Sequence, residues 1–497
     1  MLTSVHAAAG VDLSSPALVS ATGKRVATTE RKLGAWLFPY YTTGTSWVTR
    51  GPSGWVSGYL PGELWTSYAL NGDTWFRDHA ISREAPLGRS LPTSSSIDIG
   101  QRYFYSYALG YRLTGKPSFR TYALKAATAQ AQRYNPAVGA LRSTADTSTY
   151  EVIVDDLMNI QLLVWGANNG GPAQWKAIAH THALTTARDF IRADGSTYHE
   201  VSYDATTGAV ISKGTIQGYN DDSMWSRGQA WAISGFTAAY EASRDATLLA
   251  AARTVADRYL ADLPADMVPY WDFRDPAIPS APRDSSAAAI AASGLLDLAS
   301  VDPDPANQAR YESAARDTLT SLASPSYFSS GTVPAILMHG TTYYWNPTTV
   351  DCGQSFGDYF FLDALLRLRA FPTTMTPLPV RRAFASSGKP RAALDRIGST
   401  AWTSKGKQWL DLDLGARRTV HAVGVTVRYG SSRAAPFKVY TSFDRKHWKR
   451  VDSACSSGAT AKMETFTFTR TRTRFVRLAV SGTSRSTTNG ICELRVY

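Results

Sequence analysis

At 497 residues the chain is longer than one hydrophobic core comfortably serves, so two or more domains are expected. Its mean hydropathy is -0.22, and no run nears the roughly 18 apolar residues of a spanning helix, which excludes a membrane span as part of its function. The net charge of +12 is lopsided: residues 1–375 carry 29 Lys+Arg against 33 Asp+Glu, and residues 376–497 carry 23 against 7. A mildly acidic body with a strongly basic tail points to a polyanionic partner, and no nucleic-acid motif accompanies it.

Residues 1–34 read as an N-terminal extension. The opening MLTSVHAAAG has neither the basic start nor the apolar stretch of a signal peptide, so the protein stays inside or the chain begins near a processed end. From 35 to 370 the pattern is helical. One phrase recurs: a helix ends in an aromatic, turns on Gly, Asn, Asp or Pro, and restarts two or three residues later. It occurs as YALNGDTWFRDHA (68–80), YRLTGKPSFRTYALKAA (111–127), YEASRDATLLAAARTVADRY (240–259) and DPDPANQARYESAARDTLTSL (302–322). Leu248, Leu249, Ala252, Val255 and Ala256 recur at helical spacing. Repeated helix hairpins over this length predict an all-α toroid, a closed ring of paired helices.

Within this region Asp98 lies in SSIDIGQRY (95–103), and EVIVDDLMNIQLLVWGA (151–167) puts Asp155 and Asp156 near a helix N-terminus. Capping there would lower an Asp pKa, whereas a catalytic acid needs burial or a second carboxylate to raise it. Spacing alone leaves both readings open, and likewise leaves His199 in YHEVSYD (198–204) as either structural or functional. GTIQGYNDDSMWSRGQAW (214–231) gathers Gln217, Asp221, Asp222 and Arg227 beside Trp225 and Trp231, in a loop suited to sugar rings and carboxylates.

The helical pattern stops at FPTTMTPLPVRR (371–382), where Pro372, Pro377 and Pro379 mark a linker. Beyond it, over 383–497, the period becomes two, as in Val423, Val425 and Val427, and predicts an all-β sandwich or jelly roll. Three cysteines are too few for a disulfide scaffold or zinc site; Cys455 and Cys492 share this region and are candidates to pair. FTRTRTRFVRL (468–478) sets Arg470, Arg472 and Arg474 on one face if extended, and Arg445, Lys446, Lys449 and Arg450 form a second basic cluster near Trp448.

DDSMWSRGQAW, VDDLMN, YWDFRDP with PRDSSAAAIAASGLLDL, HGTTYYW, FGDYFFLDALLRL and WVSGYLPGELW together resemble the unsaturated glucuronyl hydrolase family, in the family's order over roughly 30–370. The resemblance implies an (α/α)6 six-hairpin barrel with its site at one end. It implies as substrate the 4,5-unsaturated uronic acid that polysaccharide lyases leave on oligosaccharides. Ordinary glycosidases work at the anomeric centre with two carboxylates; here the implied acid protonates C4, water adds at C5, and the hemiketal opens. By resemblance Asp155 delivers the proton and Asp98 raises its pKa. The resemblance also implies that Trp55, His199, Gln217, Arg227 and Trp231 line the substrate site and that catalysis needs no metal or cofactor. The chain departs from the family at Ile97 and Gln101, where His and Phe are usual, which bears on substrate preference. Residues 380–497 resemble the coagulation factor five/eight type C, or discoidin-like, module, which in carbohydrate enzymes binds sugar. Asp395, Thr400 and Glu493 match its structural calcium position, as hard oxygen donors. The appended module implies work outside the cell. Pectin-directed unsaturated rhamnogalacturonyl hydrolysis and a catalytically silent carbohydrate-binding protein are the competing readings; the basic tail disfavours the first, the retained Asp98, Asp155 and Arg227 the second.

Overall fold

The computed structural model describes residues 11–144, 149–371 and 375–497; residues 1–10 of the expected extension and Pro372 of the expected linker lie outside them. Thirteen helices precede the linker among these residues. In chain order they are α1 (Pro16–Lys32), α2 (Tyr59–Asn71), α3 (Thr74–Arg89), α4 (Ile99–Tyr103), α5 (Leu109–Thr114), α6 (Pro117–Ala131), α7 (Asp156–Asn168), α8 (Gln174–Phe190), α9 (Ser226–Ser243), α10 (Ala246–Asp262), α11 (Ser285–Val301), α12 (Pro305–Leu322) and α13 (Ser355–Leu368). A π-helical turn, Phe104–Ala108, fuses α4 and α5 into one bent helix.

Six of these units form an inner ring in the order α2, α4–α5, α7, α9, α11 and α13, with α13 closing against α2. Inner helices are buried on nearly every side, as in α11, whereas outer helices such as α10 bury one stripe and solvate the other. The recurring phrase of the sequence is the inner-to-outer turn. Gly72 ends α2 in a left-handed conformation and Asp73 caps α3 by accepting the Trp75 N–H; Asp245 and Asp304 cap α10 and α12 the same way.

The expected extension is part of the barrel from Pro16 onward. Helix α1 packs beside α2, Arg25 donates to the Ser329 carbonyl at 2.7 Å, and buried Glu30 pairs with Arg83 at 2.7 Å. The stripe it buries includes Thr22, Thr29 and Glu30, which mutes the apolar period that would have marked it as a core helix.

Adjacent inner helices approach closely at glycine. A Cβ on Gly100 would lie 2.3 Å from the Asn159 backbone, and one on Gly235 2.3 Å from the Leu157 side chain, so α4 and α9 pack tightly against the first turn of α7. The outer-to-inner connections, which the recurring phrase does not cover, are long and carry strands. They include the hairpin Phe38–Thr43 with Ser46–Arg50 and a three-stranded sheet of Tyr150–Ile153, Glu200–Tyr203 and Val210–Gly214.

After the linker the chain forms an antiparallel sandwich around its own core of Leu410, Leu412, Val423, Val425, Leu478 and Val496. Two long strands, Gln408–Val427 and Glu464–Val480, pair along their length and bend at register shifts between Asp413 and Arg418 and between Val420 and Ala422. The three cysteines are free thiols, and Cys455 is buried with the barrel cluster, so the candidate pairing of Cys455 with Cys492 does not form. The sandwich docks on the outer-turn end of the barrel. Arg369 donates to the Ala69 carbonyl at 2.8 Å and lies over Phe466, and Thr465 N–H donates to the Arg369 carbonyl at 2.9 Å.

Candidate active site

All six inner units begin at the end of the barrel away from the sandwich, and the long connections bring the predicted residues there. Trp55 stands in a short turn ahead of α2, and Asp98 immediately precedes α4 in a left-handed conformation (φ 49°). Asp155 begins α7, while Arg227 and Trp231 lie in the first two turns of α9. His199 leads into the strand Glu200–Tyr203, and Gln217 sits in the loop after Val210–Gly214.

The Asp155 carboxylate makes no capping bond with α7, although its position invites one. Its Oδ2 is buried without a hydrogen-bond partner, 3.6 Å from His199 Nε2, which is likewise unpartnered. His199 Nδ1 accepts the Ile216 N–H at 2.9 Å, so the ring proton belongs on Nε2, facing Asp155. Burial, assisted by the Arg227 charge, depresses the His199 pKa to about 3, so this imidazole stays neutral at ordinary pH. Trp231 Nε1 is another buried polar atom without a partner. Buried polar atoms left unpaired are costly in a folded chain unless a ligand completes them.

Asp155 is pushed up to about 7, first by burial and next by the neighbouring Asp98 charge, with Arg227 opposing. Asp98 is raised to about 6 by burial and by Asp156, against the Asn159 hydrogen bond and the charges of Arg102 and Arg133. The positive ends of the inner helices favour ionised carboxylates, so these upward shifts mean that desolvation and mutual repulsion win. Behind the pair, Asn159 Nδ2 donates to Asp156 Oδ1 at 2.7 Å and reaches Asp98 Oδ1 at 3.5 Å, while its Oδ1 accepts the Gln101 N–H at 3.0 Å. Of the adjacent Asp155 and Asp156, one is thus aimed into the site and the other braces the wall.

Arg227 is 2% exposed, and the protein itself occupies both of its terminal nitrogens. Nη1 donates to Asp284 Oδ2 and the Thr341 carbonyl, both at 2.6 Å; Nη2 donates to the Thr342 carbonyl at 2.6 Å and Gln217 Oε1 at 3.0 Å. It therefore clamps the 341–342 connection to α9 and α11, and turns the Gln217 NH2 group away from itself. Its terminal nitrogens are thus shared among one carboxylate, one side-chain amide and two main-chain carbonyls. Of the other polar residues in that cluster, Asp221 accepts the Thr215 N–H and closes its loop, and Asp222 is exposed on the surface.

The aromatic wall comes from several connections. Trp55 meets Tyr40 and Tyr59 edge-on and Phe356 at 5.0 Å, and Trp225 packs edge-on against His199. The two departures from the family pattern separate: Ile97 is 43% exposed, whereas Gln101 is buried and accepts the Tyr59 hydroxyl. Asp284 and Asn159 went unrecognised as site residues in the sequence. Asp284 does carry a visible signal, since Asp-Ser-Ser ahead of an alanine run is an N-cap, and its carboxylate accepts from Ser286 and Ala287.

In the sandwich, Thr400 Oγ1 lies 2.8 Å from both Asp395 oxygens, and Glu493 Oε2 accepts the Arg396 N–H at 3.1 Å, so the three predicted calcium residues share one loop cluster. Among the described residues no group of three or more His, Cys, Asp or Glu side chains is placed to hold a metal. A site here would use two carboxylates, a hydroxyl and carbonyls such as Ile397 O, 2.9 Å from Thr400 Oγ1; these are oxygen donors only, as a hard cation prefers.

Comparison with known proteins agrees with this architecture. The family profile of the F5/8 type C domain matches residues 380–495. The chain is 34% identical over 342 residues to the unsaturated glucuronyl hydrolase of Bacillus sp. (strain GL1), covering 67% of this chain and 90% of that protein. It is 33% identical over 324 residues to the unsaturated chondroitin disaccharide hydrolase of Streptococcus pyogenes serotype M1, covering 63% of this chain and 80% of that one. The crystal structure of the Bacillus sp. GL1 unsaturated glucuronyl hydrolase, described as responsible for glycosaminoglycan degradation, superposes with a TM-score of 0.67 at 33% identity, over 71% of this chain and 96% of that one. With its helical barrel, its carboxylates at the inner helix starts and these relatives, the chain belongs to the unsaturated glucuronyl hydrolase family of glycoside hydrolases, and carries an F5/8 type C domain behind the barrel.

Proposed function

We propose that this unsaturated uronyl hydrolase acts on oligosaccharides released by lyases from a sulfated or uronate-rich polymer of the glycosaminoglycan kind, with Asp155 as the general acid. The observation that carries the assignment is the buried Asp155 Oδ2, unpartnered, in a carboxyl group whose pKa of about 7 keeps a transferable proton near neutrality. The double bond between C4 and C5 of the substrate is an enol ether. Asp155 gives its proton to C4, positive charge develops at C5 beside the ring oxygen, and the Asp155 carboxylate then takes a proton from the water that adds at C5. The hemiketal so formed opens and releases the rest of the chain. Asp98 raises the Asp155 pKa and orients the ring. His199 Nε2–H, the Gln217 NH2 group and Trp231 Nε1 supply donors, and Trp55 gives the sugar an apolar wall. The converging inner helix N-termini suit the carboxylate of a uronic acid.

The glycosaminoglycan class is supported by the chondroitin and glycosaminoglycan relatives and by the basic tail. On this reading the F5/8 type C domain keeps the enzyme on anionic polysaccharide outside the cell, through exposed Arg470 and Arg472 and the exposed Lys446, Lys449 and Arg450. Arg474 differs from these in that its charge is paired with Asp413 at 3.0 Å. We also assign a structural calcium to Asp395, Thr400 and Glu493. Incubation with lyase digests of glycosaminoglycan, ulvan and pectin tests the substrate class. Loss of the ultraviolet absorbance of the conjugated double bond is expected for glycosaminoglycan digests; loss only with pectin digests would overturn the assignment.

A further inference from the structure

A cavity of about 670 Å³ lies at the other end of the barrel, between the C-terminal ends of the inner helices and the sandwich loops 431–432 and 457–462. It is far from the catalytic carboxylates along the same helices: α4–α5 and α7, which start at Asp98 and Asp155, end in its wall. Three features make it a built site. First, the π-helical turn Phe104–Ala108 delivers Phe104 and Tyr105 to the lining, and such turns insert an extra residue where a helix must present side chains. The Tyr105 hydroxyl is 4% exposed as part of its residue, lies near Gln161, and makes no hydrogen bond of proper geometry.

Second, Arg112 Nε is buried in the wall with no partner, which is expensive for a cation unless an anionic acceptor completes it. Helix C-termini on their own repel anions. Here five cations, Arg112, Arg244, Arg367, Lys462 and Arg485, line the cavity against three carboxylates, Glu241, Asp297 and Asp363, with Glu464 also acting on Arg112, which offsets that repulsion. Third, the lining combines planar apolar surface, from Phe104, Trp165 and Phe371, with paired charges, from Arg367, which bonds Asp297 and donates to Asp363 at 2.6 Å. Aromatic faces among fixed donors and acceptors are the chemistry of sugar recognition.

We propose that this cavity is a second saccharide site, composed by the barrel and the sandwich together, which takes a short acidic segment bearing carboxylate or sulfate groups. It differs in place and role from the exposed basic strand, and it does not require the chain to hydrolyse the same sugar. In it the domain junction becomes a clamp on the polymer rather than a passive spacer.

The test is calorimetric titration of the full chain with a tetrasaccharide that contains glucuronate but has a saturated end, which lacks the C4–C5 double bond. Ser432 and Ala459 line the cavity from exposed loop positions, so Ser432→Trp and Ala459→Trp plug it without touching either core. The expected result is saturable binding to the wild type, weakened by about tenfold or more in each plug variant. Melting temperature should stay within about 2 °C, and hydrolysis of the unsaturated disaccharide should be retained. Three results would each overturn the proposal: undiminished affinity in both plug variants, equal affinity for an uncharged malto-oligosaccharide, or loss of binding only in Arg470→Ser/Arg472→Ser. Hydrolysis and binding are read separately, so absence of turnover on every digest would refute the catalytic assignment and leave this result standing.

Discussion

At the scale of single residues, adjacent aspartates in one short motif take opposite roles because their surroundings differ. Asp156 accepts hydrogen bonds from Ser143 and Asn159, whereas Asp155 Oδ2 accepts none and is repelled by Asp98. Replacing Asp155 by Asn keeps the shape and removes the proton. Turnover should fall by about 100- to 10,000-fold while disaccharide binding persists, as single-turnover and equilibrium binding measurements will report. The pH profile carries a second expectation. On the proposed mechanism Asp155 acts in its protonated form, so kcat/KM should decline as pH rises through the region of about 7. Asp98 lifts the Asp155 pKa; neutralising it in Asp98→Asn lets that pKa fall, so the alkaline decline should move to lower pH. An unmoved profile in that variant would remove Asp98 from the proton-holding role.

At the scale of elements, the spacing of the proposed carboxylate pair is set by how closely two inner helices meet. Helix α4 carries Asp98 and α7 carries Asp155, and they touch backbone to backbone at Gly100 and Asn159. A methyl group at position 100 would sit 2.3 Å from the Asn159 main chain, where no side chain can swing aside. Gly100→Ala should therefore push α4 from α7, destabilise the barrel by about 1–3 kcal/mol as overpacking does, and lower kcat more than the stability loss alone accounts for. Thermal melting and steady-state kinetics on the same preparation check both halves. The Arg227 clamp belongs to this scale as well, because it ties α9 to Asp284 at the start of α11 and to the 341–342 connection.

At the scale of the whole molecule, the barrel carries the chemistry and the sandwich carries the charge. If calcium sits with Asp395, Thr400 and Glu493, it binds the folded domain alone, so chelation should lower the melting temperature of the full chain and added calcium should restore it. A curve indifferent to both would reject the site. The exposed cluster about Arg470 and Arg472 makes a separate expectation. Retardation in gels containing a sulfated glycan should exceed that in a neutral glycan and collapse near 1 M salt, where screening shortens to about 3 Å. Arg470→Ser/Arg472→Ser should weaken it, while Arg474→Ser should chiefly disturb the Asp413 pair.

The sequence by itself determined the elements whose signals are local. The Gly and Asp turns of YALNGDTWFRDHA and its counterparts mark inner-to-outer hairpins, because a left-handed Gly and a capping Asp act within a few residues. The change of period after the proline-rich stretch marks the sandwich for the same reason, and the motif order points to the family and its aspartates. What only the tertiary structure decided depends on long-range contact. Helix α1 belongs to the barrel because Thr and Glu bury against partners some 50 to 300 residues away. Arg227 is a clamp because Asp284 and the 341–342 carbonyls reach it from distant connections. Asp155 is raised because burial and Asp98 act on it through space, and sequence spacing carries no record of desolvation.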